Sequence, residues 1–88
     1  MASKRLLKRD VNYVMGDIIE AAYIHQLADP KQDPKNTEAI VDEAIVAFDG
    51  LIAKINQKNV EDKKKHFKGI EKELETKANA LVEKINKL

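Results

Sequence analysis

Apolar residues recur at Leu7, Val11, Val14, Ile18 and Ala21, with His25 next in register, in alternating steps of four and three. This is the spacing of one face of an α-helix. Met15, Ile19 and Ala22 widen the face, enough for the helix to meet two neighbours at once. A second stripe runs through Val41, Ile45, Phe48, Ile52 and Ile55, flanked by Ile40, Ala44 and Leu51. A third follows at Val60, Phe67, Ile70, Leu74, Ala78, Leu81, Ile85 and Leu88. The pattern predicts three amphipathic helices and no strand, over about 3–28, 34–56 and 60–87. Ile18, Phe48, Phe67 and Leu74 are expected in the core.

The breaks between stripes have separate causes. Pro30 biases Asp29 away from helical angles, and Pro34 suits the first turn of a new helix. Asp33 is then the N-cap of the second helix, with Thr37 a later alternative, and Ser3 caps the first. No proline or glycine separates the second helix from the third. Extending the second stripe past Ile55, however, lands on Asn59, Asp62 and His66, all polar. That change of phase predicts a tight turn at 57–59, with Asn59 as the N-cap of the third helix. Gly16, inside the first helix, is expected at a close helix contact, and Gly69 at a packing or surface position.

Three helices with short connections predict one domain over residues 1–88, an all-α, up-down-up antiparallel three-helix bundle. The wide stripe of the first helix further predicts weak to moderate self-association through it; the alternative to the closed bundle is a homodimer in which two chains share a larger helical core.

Composition narrows the function classes. The 88 residues are 35% charged and 43% hydrophobic, which suits slender helices with one buried stripe each. A chain this short has little room for an enclosed active site of about 300 Å³ or more. The absence of cysteine excludes disulfides and thiolate chemistry. No stretch approaches the roughly 20 apolar residues of a membrane span, and the basic N-terminal segment leads into no signal-like apolar run. The expectation is a soluble, cytoplasmic protein.

Catalytic and metal motifs are missing. A di-metal bundle site uses Glu-x-x-His on inward faces, but the residues three before His25 and His66 are Ala22 and Lys63. His25 reads as a residue near a helix boundary and His66 as a solvated one. Ser3, Thr37 and Thr76 are the chain's serine and threonines, and none sits in a glycine-rich turn. No catalytic residue, metal ligand or cofactor site is predicted, and the chain reads as a non-enzyme.

Charge is the feature that rises above background. Folding the chain up-down-up gathers Lys4, Arg5, Lys8, Arg9, Lys54, Lys58, Lys63, Lys64, Lys65 and Lys68 at one end, against Asp10, Asp49, Glu61 and Asp62. The near-neutral total of +1 therefore hides a strong dipole. Four of these cations occupy the first two turns of the first helix, where the macrodipole disfavours them by about 0.3–1 kcal/mol each. A local rule broken without visible compensation points to function; the alternative is that exposed lysines only keep a small protein in solution. The candidate partner site is Lys4, Arg5, Lys8, Arg9, Lys63, Lys64, Lys65 and Lys68. The sequence suggests a protein-interaction module whose partner is another protein or a second copy. The alternative is a binder of nucleic acid or an anionic surface through residues 4–9, 54–58 and 63–68. Few aromatics and no short recognition helix argue against nucleic acid.

Overall fold

A computed structural model of the chain describes residues 3–88. It contains three helices, α1 (Lys4–Ala28), α2 (Pro34–Ile55) and α3 (Lys63–Asn86), and no strand among the described residues. Each helix packs against both others. The envelope is 50 × 18 × 17 Å, a slender rod with the helices along its length. The structure is the all-α three-helix bundle the apolar spacing predicts.

Each helix starts where a side chain satisfies a backbone N–H that the helix itself leaves without a partner. Ser3 Oγ accepts from the N–H of Leu6 at 3.1 Å. Asp33 Oδ1 accepts from Lys35 at 3.0 Å, with Pro34 beginning the helix as expected. Thr37 is therefore not a cap. It is buried, and its hydroxyl donates to Gln26 Oε1 at 2.7 Å. Gln26 Nε2 in turn donates to the carbonyl of Gln32 at 3.0 Å, so this amide ties the α1–α2 connection to both helices.

The third start differs from expectation. Asn59 does not cap α3; its backbone sits at φ 62°, in the left-handed region. Asparagine tolerates that conformation better than most residues. The chain reverses there, and Asp62 caps α3, accepting from Lys65 at 3.1 Å. The predicted turn at 57–59 is thus a longer connection over 56–62, and Val60 lies in it rather than in α3. The phase argument located the break but placed the helix start three residues early.

The core follows the α3 stripe as read, through Ile70, Leu74, Leu81 and Ile85, and departs from the sequence stripe chiefly in α2. In α1 it runs through Leu7, Val11, Met15, Ile18 and Ala22, with Val14 and Ala21 half-buried beside it. In α2 it runs through Ile40, Val41, Ala44, Ala47, Leu51 and Ile55. Ile45, assigned to the buried face from sequence, is 45% exposed. Phe48 and Phe67 are half-buried at the core margin, while Ile18 and Leu74 are buried as expected. The apolar band of α2 is wider than the face its neighbours cover, and packing turns Ile40, Ala44 and Leu51 inward at the expense of Ile45. On α1, Met15 and Ala22 of the widened stripe are buried within the chain, and Ile19 is half-buried. Gly16 is not at a close contact: a Cβ there would meet nothing within 4 Å, and the same holds for Gly69.

Candidate functional site

The start of α1, the end of α2 and the start of α3 meet at one end of the rod. The meeting is direct, because Lys4, Ile55 and Phe67, one from each helix, line a single open cleft of about 370 Å³. Lys58 and Lys63 complete its cationic rim, and Val60 joins Ile55 and Phe67 as its apolar wall. The amides of Gln57 and Asn59 also border it.

Three helix termini lie at the pole. Neither α1 nor α3 has an acidic residue in its first turn, although the Asp62 carboxylate caps α3. Their two positive dipole ends face the pole beside the one negative end of α2. Among the described residues, no carboxylate lies within ion-pair distance of Lys4, Arg5, Lys8, Lys58, Lys63, Lys64, Lys65 or Lys68.

The eight cations singled out from sequence do not all line one hollow. Lys4 and Lys63 share the cleft with Lys58. Lys65 lines a second hollow of about 380 Å³, between α2 and α3, together with Lys54 and Glu73. Arg5, Lys8, Arg9, Lys64 and Lys68 line neither of these two. Arg9 has a loose ion pair with Asp10 at 3.8 Å. Lys54, counted in the pole from sequence, is neutralised: Glu73 accepts from its ammonium at 2.6 Å. Lys77 approaches the other oxygen of Glu73 at 3.3 Å. The Lys54 hydrogen bond holds the Glu73 carboxyl below its usual range, with burial opposing and Lys77 adding to the effect.

His66 is not the freely solvated residue expected. It is half-buried, tied to α2 through a backbone carbonyl, and borders both hollows. Its ring lies 5.8 Å from that of Phe67. Sequence reading missed Gln57, Asn59, Val60 and His66 as site residues. The signal that was available is Asn59, a left-handed-tolerant residue in a break without glycine. No group of three or more histidines and carboxylates is arranged to hold a metal ion among the described residues. No helix there is long and apolar enough to cross a membrane.

No protein-family model matches the chain, and no curated protein or solved structure matches it either.

Proposed function

We infer that this protein is a non-enzymatic interaction module that engages an acidic segment of another protein through its basic pole. The observation that carries this reading is the set of eight pole cations without an acid partner among the described residues. Elsewhere on the rod, Lys77, Lys84 and Lys87 pair with Glu73, Glu43 and Glu83, while Lys31, Lys35 and Lys72 are also without an acid partner among the described residues; what sets the pole apart is the density of its cations. The cleft's polar groups are ammoniums, two amides and one imidazole, with no carboxylate or hydroxyl beside them. That set holds anions by charge and hydrogen bonding and offers no nucleophile–base pair.

A second copy is the other protein partner within this reading. Its surface would be the side of α1 opposite the core, where Leu6, Tyr13, Ile24 and Leu27 are exposed. Nucleic acid is the competing partner, and the same cations would serve it.

The test is a comparison of the parent with a variant lacking Lys4, Arg5, Lys8 and Arg9, all changed to glutamine. The probes are an Asp/Glu-rich peptide, duplex DNA and phosphatidylserine vesicles. For the peptide, the association rate should fall with gentle salt dependence. Stronger binding to DNA, with a log–log salt slope near −0.9 per phosphate contacted, would favour nucleic acid instead. Unchanged binding of all three probes by the variant would reduce this face to a solubility device.

A further inference from the structure

We propose that the cleft at the basic pole binds a small amphiphilic carboxylate of medium chain length. Three features of different kinds converge there. Lys4, Lys58 and Lys63 form a rim of positive charge, from three separate segments of the chain. Ile55, Val60 and Phe67 form an apolar wall beneath it, where the α2–α3 connection leaves the end of the core open. The volume, about 370 Å³, lies at the small end of the range of about 300–1,000 Å³ common for small-molecule sites.

Each feature selects against a different ligand class. A bare inorganic anion would leave the apolar wall wet. A neutral apolar molecule would sit under three ammoniums without answering their charge. A molecule with an anionic head and a short hydrocarbon tail satisfies both, the head at the rim and the tail on Phe67 and Val60. Val60 and Phe67 are only half-buried in the unliganded chain, so a tail laid against them removes apolar surface from water that folding alone leaves exposed. The rim lysines have no competing acid within ion-pair distance among the described residues, so no internal pair must break first. This small-molecule activity goes beyond the protein-partner reading and does not rest on it.

The experiment is amide NMR titration of the full chain with monomeric octanoate, with octanol and acetate as controls. Octanoate at about 1 mM, the concentration scale of a weak but specific site, is expected to shift Asn59, Val60, Lys63 and Phe67, with little response from either control. The double variant Lys58→Gln/Lys63→Gln should weaken octanoate by about tenfold or more, the scale of a lost charge-assisted contact. Val60→Ser, outside the helices and so less prone to disturb the fold than a change at Phe67, should weaken it as well. Equal response to octanol and octanoate would overturn the role of the rim. Equal response to acetate would overturn that of the wall. Shifts confined to another surface, or full affinity in the double variant, would overturn the assignment. Binding of the acidic peptide but not of octanoate would also overturn it, while leaving the protein-interaction reading in place.

Discussion

The imidazole Nε2 of His66 donates to the backbone carbonyl oxygen of Lys54 at 2.7 Å. A carbonyl oxygen can only accept, so Nε2 must carry the hydrogen. The side chain of the same Lys54 reaches the opposite way along α3, to Glu73 at 2.6 Å. One residue near the end of α2 thus holds the first and third turns of α3, by main chain and side chain respectively. This clamp spans the connection that opens the cleft.

His66→Ala should therefore cost about 1 kcal/mol of stability, the usual net value of one hydrogen bond. His66→Gln keeps a donor of similar reach and should recover part of the loss. Urea denaturation of both variants measures this. An alanine variant that unfolds with the parent would mean that the bond adds nothing net.

Gly16→Ala should stabilise the fold. The site is mid-helix, and the added methyl meets no atom within 4 Å. The expected gain is about 0.5–1 kcal/mol from helix propensity alone. In a domain of this size, each kcal/mol raises the melting temperature by roughly 4–8 °C. A lowered melting temperature would indicate a close contact at Gly16 after all.

The phase of α2 can be tested by a pair of truncations. Leu51 is fully buried and Ile45 is 45% exposed. Leu51→Ala should cost about 2–5 kcal/mol. Ile45→Ala should cost clearly less, since nearly half of its surface stays in water on folding and no enclosed cavity is left behind. Chemical denaturation that ranked them in the opposite order would restore the face read from the sequence.

Acid should erode one identifiable contribution. Glu73 holds its proton less tightly in the folded chain than its ordinary value of 4.5, because Lys54 hydrogen-bonds the carboxylate. As pH falls, the unfolded chain takes up this proton first, and unfolding is favoured. The contribution is complete above that ordinary value and is lost as pH falls through the lowered folded one. Both side chains of the pair are partly solvated, at 50% and 27% accessibility, so its size is under about 1 kcal/mol. The stability difference between parent and Glu73→Gln should be largest near neutrality and shrink in acid. A difference that stays constant across the acid range would show that the pair does not couple to folding.

Much of this protein is legible in the sequence, because local rules act over a few residues. Ser3, Asp33 and Pro34 start two helices by satisfying or lacking specific N–H groups, and those starts stand where the chain places them. The Pro30 break and the gathering of lysines at one end follow from chain order and the up-down-up path. Three choices belonged to the tertiary structure. The stripe of α2 was wide enough for more than one rotation, and packing picked the one that buries Ala44, Ala47 and Leu51 and leaves Ile45 nearly half exposed. Asp62 rather than Asn59 became the third cap, because the left-handed backbone at Asn59 turns the chain before a helix can begin. The cleft borders that turn. Lys58 and Lys63 are near each other in sequence but Lys4 is not, and only the docking of α1 beside the α2–α3 connection brings all three around one apolar wall.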